Sequence, residues 1–398
     1  MYDDIHSIIR HESYTRSEMI ILEDSDLYAI INYLIITDHF PLHKIWVQKR
    51  VNEKFVWLLK NYRSELSITI DTFQSLKDIQ FLPCNNKISI VSIWSENVVA
   101  AKNFALSINS YHLVFINTYM DFHGSNLLWI YKHLYIIQMK TEYVMSNINY
   151  ENESINQDQE SSTNTVHLSS VVKINDIFVG DLFYDGAWQK PIKGMYWKHN
   201  NCLWANATHS DIRKCYLSAR EGFKTWSNMS IKARIQILSG FVLVLELTGK
   251  FVLATIVDRW IKFPYLYDFI QGHIENKTRE ILYIRKPLSV IILKEENENI
   301  LFFRLIQTLI AGNSVIVMFD ANSYNPSLYY DMFSTCGVPP GVINLLSHEN
   351  TSTMESKLCL EDYATYAARY FLKGTSLKTY TIPFKNLTVP RIIISLLQ

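Results

Sequence analysis

Residues 281–318 read ILYIRKPLSVIILKEENENILFFRLIQTLIAGNSVIVM, and this stretch indicates the fold class most directly. Two apolar runs, 281–293 and 314–318, have the length and composition of buried strands, and a helical pattern separates them. The same alternation of strand and helix patterns occurs in residues 17–62 and 87–117. We therefore predict an α/β protein.

A polar, acidic segment separates two such blocks. Residues 145–170, MSNINYENESINQDQESSTNTVHLSS, contain almost no periodic apolar positions and cannot bury themselves. We predict a disordered linker there, with one α/β block at 1–144 and a second at 171–398. In the second block, a helix is predicted at 210–226, capped by Ser210 and with Asp211 in its first turn.

The charge balance excludes some partners. Lys and Arg number 38, as do Asp and Glu, so no basic field is present to hold nucleic acid. The longest apolar stretch, 240–257, contains Glu246 and Lys250, which favours a buried or amphipathic helix over a membrane span. The first residues lack a secretory pattern, so we predict a cytoplasmic protein that has no membrane partner.

Cysteine and glycine usage bear on the chemistry. Five widely spaced cysteines without a CxxC pair predict reduced, structural thiols and no metal site: Cys84, Cys202, Cys215, Cys336 and Cys359. Glycine makes up 12 of 398 residues, about 3%, against an average near 7%. Dinucleotide-binding folds need glycine where the backbone approaches a pyrophosphate, so this shortage argues against an intact cofactor site.

Five segments carry a family resemblance. YDGAWQKP (184–191), DIRKCYLSAREGFKTWSNMSIKARIQIL (211–238), RKPLSVII (285–292), LIAGNSVIV (309–317) and CGVPPGVINLL (336–346) resemble, in order and spacing, the cofactor-binding half of aldehyde dehydrogenases. The resemblance implies a Rossmann-type parallel sheet with flanking helices, and an NAD-binding-like half at 171–398.

The first block resembles the other half of that family. Residues 11–27 and 92–117 are similar to segments of its catalytic half, which implies a partial catalytic and oligomerisation lobe at 1–144. The order of the halves is thus reversed. Two explanations remain open: the end of one repeat followed by the start of another, as in the tandem-repeat family-sixteen type, or a circular permutation.

The catalytic positions that the resemblance implies are altered. In 37–48, TDHFPLHKIWVQ, His39 stands at the position of the nucleophilic cysteine, and no cysteine lies nearer than Cys84. Imidazole does not form the thiohemiacetal that delivers hydride, so we predict that no nucleophile is present. Glu12 falls on the general-base position, but Ser13 to Arg16 replace the two glycines beside it; a solvated glutamate is the alternative.

The cofactor positions are altered as well. Asn297 lies near the family's oxyanion-donating asparagine but between Glu296 and Glu298, whose charges would oppose an oxyanion. The segment that holds the ribose, 317–320, lacks its lysine, and Gly374 is displaced by two positions on the phosphate side. Asn297 and Gly374 are the two residues that remain as candidates for cofactor binding. Because the positions around them are altered, no bound cofactor is expected.

The leading hypothesis is a pseudoenzyme of the aldehyde dehydrogenase superfamily that acts as a binding or assembly scaffold, with a protein partner or as a homodimer. The alternative is an NAD(P)-dependent oxidoreductase that oxidises aldehydes to carboxylic acids, with NAD as cofactor and a nucleophile from a distant cysteine or another subunit. A truncated gene product is a third hypothesis, because the family has more sequence around 63–86. The strand pattern at 272–286 fits either a subunit contact or pairing within the chain.

Overall fold

The computed structural model describes residues 15–36, 42–62, 68–79, 88–108, 112–120, 165–167, 178–262, 270–275, 279–371 and 386–396. The chain divides into two compact units. Unit 1 comprises 1–142, 269–285 and 390–398, and unit 2 comprises 143–268 and 286–389. Of the predicted linker, the structure describes only Thr165–His167, which form a strand.

Unit 1 is built on an eight-stranded sheet in the order β12-β13-β17-β5-β4-β1-β2-β3. From β17 to β3 every neighbouring pair is parallel, whereas β12 and β13 form an antiparallel hairpin. The strands are β1 (Thr15–Ile21), β2 (Lys44–Gln48), β3 (Thr69–Phe73), β4 (Ile88–Trp94), β5 (Leu113–Ile116), β12 (Ile270–Glu275), β13 (Arg279–Pro287) and β17 (Thr388–Leu396). The helices are α1 (Leu27–Ile36), α2 (Asn52–Tyr62) and α3 (Val98–Ser107).

The apolar runs of unit 1 follow from burial on both faces of the sheet. All seven residues of β4, ISIVSIW, are buried. Its Ile90 belongs to a core cluster on one face and its Val91 to a cluster on the other. Parallel sheets that are covered on both faces need such continuous apolar strands rather than alternating ones. The predicted α/β class, with a parallel sheet and flanking helices, is confirmed.

The hairpin at 272–286 pairs within the chain's own sheet. Gly272 lies opposite Leu282 in the antiparallel ladder, and β13 neighbours β17. Ile281 is buried in one core cluster, and Leu282 and Ile284 pack against the other. The sequence leaves open a subunit contact or pairing within the chain for this strand. In the structure it pairs within the chain.

Arg391 is an uncompensated charge in the core of unit 1, as far as the described residues extend. It lies in β17 with 1% of its surface exposed. None of its three guanidinium nitrogens donates a hydrogen bond within the described part of the chain. Burial lowers the pKa of this guanidinium to about 10. The native state therefore bears the cost of desolvating a cation.

Replacing Arg391 with methionine is expected to raise the free energy of unfolding by about 1–4 kcal/mol, because an apolar side chain of similar length removes the desolvation cost. Urea denaturation measures the change. Arg50→Met is the control, since the Arg50 side chain is 81% exposed in its ion pair with Glu23. This substitution should change the free energy of unfolding by less than about 0.5 kcal/mol. Destabilisation by Arg391→Met would show that the cation is compensated after all.

Unit 2 contains two smaller sheets and a larger set of helices. Its strands are β6 (Thr165–His167), β7 (Val179–Gly180), β8 (Leu182–Tyr184), β9 (Ala187–Gln189), β10 (Met195–His199), β11 (Cys202–Ala205), β14 (Val290–Leu293), β15 (Ser314–Phe319) and β16 (Ile343–Ser347). One sheet has the order β14-β15-β16-β8-β9 and the other β6-β10-β11-β7. Strands β14, β15 and β16 are parallel, and β8 runs antiparallel to β16.

The helices of unit 2 are α4 (His209–Asn228), α5 (Ile231–Leu247), α6 (Phe251–Lys262), α7 (Glu298–Ile310), α8 (Ser327–Thr335), α9 (Ser352–Leu358) and α10 (Tyr363–Tyr370). The predicted helix at 210–226 is α4, but its cap is Thr208 and not Ser210. Asp211 accepts hydrogen bonds from the backbone N–H and hydroxyl of Thr208, at 2.8 and 2.6 Å. The cap therefore lies two residues earlier, and Asp211 closes it.

The apolar stretch 240–257 is divided between α5 and α6. Gly249 has a φ of 75°, in the left-handed region, and provides the turn between the two helices. Among the described residues, no helix is long and apolar enough to cross a membrane.

Candidate functional site

The parallel strands β14, β15 and β16 end side by side in unit 2. Open α/β sheets bind their ligands beyond the carboxyl ends of such strands. Lys294 follows β14 directly, and Asp320 follows β15 directly. Thr351 and Glu355, at the start of α9, complete the group. We call Lys294, Asp320, Thr351 and Glu355 the carboxyl-edge cluster.

Hydrogen bonds close this cluster on itself. The Lys294 Nζ lies 2.8 Å from Asp320 Oδ2 and 2.8 Å from Glu355 Oε1, and it donates to Thr351 Oγ1 at 2.6 Å. The Thr351 hydroxyl donates in turn to Asp320 Oδ2 at 2.8 Å. An ammonium group has three donors, so the three partners use all of them. The lysine has no donor left for a ligand.

Hydrogen bonds favour the charged forms of Lys294 and Asp320. Burial lowers the pKa of Lys294, but hydrogen bonds to Asp320 and Glu355 outweigh burial and leave that pKa raised. Burial likewise raises the pKa of Asp320, yet hydrogen bonds from Lys294 and Thr351 hold it below its ordinary value. Two carboxylates and one ammonium give the cluster a net negative charge near neutral pH.

Asn297 caps α7, which follows β14 and Lys294 along the chain. Its side-chain oxygen accepts hydrogen bonds from the backbone N–H of Asn299 at 2.9 Å and of Ile300 at 3.2 Å. Free N–H groups at a helix N-terminus are the usual anion site of a dinucleotide-binding sheet. Here the Asn297 cap takes two of them, and the oxygen rather than the amide nitrogen points at the helix.

Carboxylates surround the same helix N-terminus. Glu295 pairs with Arg304 and accepts a hydrogen bond from the Tyr363 hydroxyl. Burial raises the pKa of Glu295, and those two partners only partly offset it. Glu298 accepts hydrogen bonds from the hydroxyls of Tyr324 and Tyr329, which outweigh the effect of burial and lower its pKa.

These residues do not fit a dinucleotide. The pyrophosphate of NAD needs donors and positive charge, whereas the described residues at this edge present a closed ion cluster, a capped helix and several carboxylates. Placing a phosphate near such carboxylates would bring like charges together. Gly374, the candidate on the phosphate side, lies outside the described residues.

A cleft of about 410 Å³ lies at the end of β15. One wall is the hairpin of β10 and β11, and the other follows the loop after β15. Its lining residues are His199, Asn200, Cys202, Trp204, Glu296, Phe319, Ala321, Asn322, Ser323, Tyr324 and Asn325. We call this space the hairpin cleft. Sequence reasoning missed it; the only local sign was the turn His199 to Cys202, HNNC.

The structure does not describe most of the candidate residues that the sequence suggests. Glu12, His39 and Gly374 lie outside the described residues, as does Cys84, so Asn297 is the candidate whose surroundings are known. The four described cysteines are free thiols, two of them buried. In the described ranges, no three His, Cys, Asp or Glu side chains are grouped to hold a metal ion.

Several aldehyde dehydrogenases are among the solved structures that align with this chain. An NAD-dependent aldehyde dehydrogenase from Sinorhizobium meliloti is 17% identical over 46% of this chain and 43% of its own, with a TM-score of 0.40. An NAD+ complex of a Bacillus cereus aldehyde dehydrogenase is 14% identical over 42% and 41%, with a TM-score of 0.38. An indole-3-acetaldehyde dehydrogenase is 17% identical over 42% and 47%, with a TM-score of 0.39.

The resemblance to aldehyde dehydrogenases that the sequence predicts is thus also found among solved structures. The chain spans less than half the length of those structures. No protein-family model matches it. The fold and the described site define an α/β protein with parallel sheets, whose second unit carries a closed ion cluster at the carboxyl ends of its parallel strands.

Proposed function

We propose that the protein is a catalytically inactive relative of the aldehyde dehydrogenases that acts as a binding or assembly scaffold. The observation that carries this proposal is the carboxyl-edge cluster, which lies where an open α/β sheet takes its ligand. All three donors of the Lys294 ammonium are used within the cluster, and the net charge of the cluster is negative. The histidine that the sequence resemblance puts at the nucleophile position supports the same conclusion.

Repulsion between carboxylates and the cofactor's phosphates supports the proposal that NAD does not bind. Two like unit charges about 5 Å apart repel by about 3 kcal/mol at an effective dielectric constant near 20. A factor of ten in affinity corresponds to about 1.4 kcal/mol, so one such contact weakens binding about a hundredfold. Opening the ion cluster to admit the cofactor would cost further free energy.

Isothermal titration of the full chain with NAD+ and NADP+ tests the proposal. We expect no saturable binding up to about 1 mM, the upper end of common KM values, and no formation of reduced nicotinamide with short- or long-chain aldehydes. An active aldehyde dehydrogenase serves as the positive control. Binding of either cofactor with a Kd below about 100 µM, within the common range of KM values, would overturn the proposal.

A scaffold also needs a surface for its partner. The end of α5 and the start of α6, on either side of the turn that joins them, expose four large apolar side chains, Leu243, Leu247, Phe251 and Val252, of which Leu247 is 87% exposed. Contiguous exposed apolar side chains mark interaction surfaces in soluble proteins. We propose that a second copy of the chain or a protein partner covers this turn.

Sedimentation velocity tests the simpler case, a homodimer. Changing Leu247 and Phe251 together to Lys should convert a dimer to a monomer, while Leu217→Lys, at an exposed position on α4, should not. A wild-type chain that is monomeric at all concentrations would exclude the homodimer and leave a different protein as the partner that covers this turn.

An NAD(P)-dependent oxidoreductase is the second candidate, because the hairpin cleft at the end of β15 offers room for a ligand near the carboxyl ends of the strands. Titration with NAD+ and NADP+ separates the two candidates, since an oxidoreductase of this kind must bind its cofactor.

A further inference from the structure

The outward face of α5 has the spacing of a helix that packs against another helix. Its inward face is buried and consists of Arg234, Ile235, Leu238, Phe241 and Leu245. On the opposite side, alternating steps of three and four residues connect Ala233, Gln236, Gly240, Leu243 and Leu247. None of these five residues is buried, and we call them the α5 seam. Such steps are those of the a and d positions of a coiled coil.

The apolar residues of the α5 seam lie toward its end. Leu243 is 60% exposed and Leu247 is 87% exposed. The start of α6 adds two further exposed apolar side chains beside them, Phe251 and Val252. Apolar side chains at a and d positions that no other part of the described chain covers are typical of a helix whose partner comes from another chain.

Gly240 lies in the middle of the α5 seam. A glycine inside a helix is destabilising relative to alanine. Apart from its chain neighbours and the backbone of its own helix, no described residue has a heavy atom within 4 Å of the position that a Cβ would take at Gly240. Packing within the described chain therefore does not require a glycine here. A glycine does allow the backbone of another helix to approach closely.

Two opposite charges flank the α5 seam. Lys232 precedes Gly240 by eight residues, Glu246 follows it by six, and both side chains are exposed. Because Lys232 and Glu246 are two heptads apart, they lie on the same flank of the helix. Among the described residues, neither side chain has an ion-pair partner. About 21 Å of helix separates the two at 1.5 Å per residue, so they cannot pair with each other within one chain.

A second copy of α5 supplies the missing partners. When two copies of one helix pack face to face in opposite directions, the same flank of each meets the other with its ends exchanged. A crossing near Gly240 therefore brings Lys232 of one copy to Glu246 of the second copy, and symmetry repeats the contact. A parallel pairing would set Lys232 against the other flank, at Ile237, which carries no charge.

We propose that two copies of the chain pair through α5 in antiparallel orientation, crossing near Gly240. This inference rests on the proposal that a second copy or a protein partner covers the exposed apolar turn, and it names the second copy as that partner. Leu243 and Leu247 of each copy are buried in the pairing, and Lys232 and Glu246 form an ion pair at both ends. One helix from each copy is small beside the roughly 1,200–2,000 Å² of a standard interface, so dimerisation should depend on concentration.

Zero-length cross-linking of the full chain with a carbodiimide tests the arrangement. The reagent joins an ammonium to a carboxylate only where the two groups are in contact. Peptide mapping of the cross-linked dimer by mass spectrometry should show an amide between Lys232 and Glu246. The distance of about 21 Å along one helix means that this link can form only between copies. Glu246→Gln should abolish the link. A cross-linked dimer that lacks it in the wild type would overturn the antiparallel pairing.

Exchanging the two charges gives an independent test by sedimentation velocity. Lys232→Glu alone, or Glu246→Lys alone, places like charges at both ends of the pairing and should weaken dimerisation about tenfold. The variant with both changes should dimerise like the wild type, because the ion pairs are restored with their signs exchanged. Lys224→Glu, the same charge change at an exposed position on α4, is the control and should leave dimerisation unchanged.

This inference and the proposed function fail in different ways. A wild-type chain that is monomeric at all concentrations would overturn the pairing but leave a scaffold that binds a different protein. A dimer that the joint change of Leu247 and Phe251 to Lys disrupts, but that neither single charge change weakens, would keep the turn as the contact and overturn the antiparallel arrangement. A double charge variant that dimerises no better than the single variants would overturn it as well.

Discussion

Gly341→Ala is expected to lower the free energy of unfolding by about 2–5 kcal/mol, the sum of a conformational and a packing cost. Gly341 has a φ of +77°, and an alanine Cβ there would lie 2.3 Å from the backbone oxygen of Ser218 in α4. A left-handed conformation costs a residue with a Cβ about 1–2 kcal/mol, and overpacking costs about 1–3 kcal/mol more. The helix backbone cannot yield as a flexible side chain would. Urea denaturation followed by tryptophan fluorescence measures the loss.

Gly337→Ala is the matched control, earlier in the same G-x-P-P-G motif. Its φ is +86°, but apart from its two chain neighbours no described residue has a heavy atom within 4 Å of the position that an alanine Cβ would take, so only the conformational cost of about 1–2 kcal/mol applies. Gly341→Ala should therefore be the more damaging of the two. Equal losses would contradict the close approach of α4 to this loop.

Lys294→Met is expected to have the second large effect. It should lower the free energy of unfolding by about 3–5 kcal/mol. Without the ammonium, Asp320 and Glu355 are left as carboxylates that share the Thr351 hydroxyl and lack the cation between them. The Asp320 side chain is only 7% exposed, so water does not screen it well. Lys262→Met is the control, because the Lys262–Asp258 pair is exposed and such pairs contribute about 0–1 kcal/mol.

The stability difference between wild type and Lys294→Met should depend on pH. The pKa of Asp320 is depressed in the fold, so its contribution is present above its ordinary value of 3.8 and is lost as the pH falls through the lower, folded value. The pKa of Lys294 is raised above its ordinary value of 10.5. Its contribution to stability is therefore present below pH 10.5 and is lost only above that pH. The difference should be largest between about pH 4 and pH 10.5. A difference that stays constant down to about pH 2 would contradict the assignment.

Part of the candidate site could be predicted. The position of Asn297 shortly after the carboxyl end of an apolar strand could be inferred, because the strand pattern and the flanking glutamates are local in sequence. Its role as the cap of α7 could not, since that depends on where the helix begins. The carboxyl-edge cluster escaped prediction because Lys294, Asp320 and Glu355 are far apart in sequence and meet only where parallel strands end together.

The sequence by itself determined the α/β class, the apolar strands and the amphipathic helix α4, because these follow from local periodicity and burial on two faces. Only the tertiary structure decided which strands pair. In unit 1, Ile392 of β17 lies beside Leu113 of β5, and β13 takes the place next to β17. Strand pairing depends on contacts between distant segments, and any of several apolar strands satisfies the same local pattern. In the described sheet, β17, β5 and β4 lie side by side, and apolar residues from each of them belong to the core clusters on both faces.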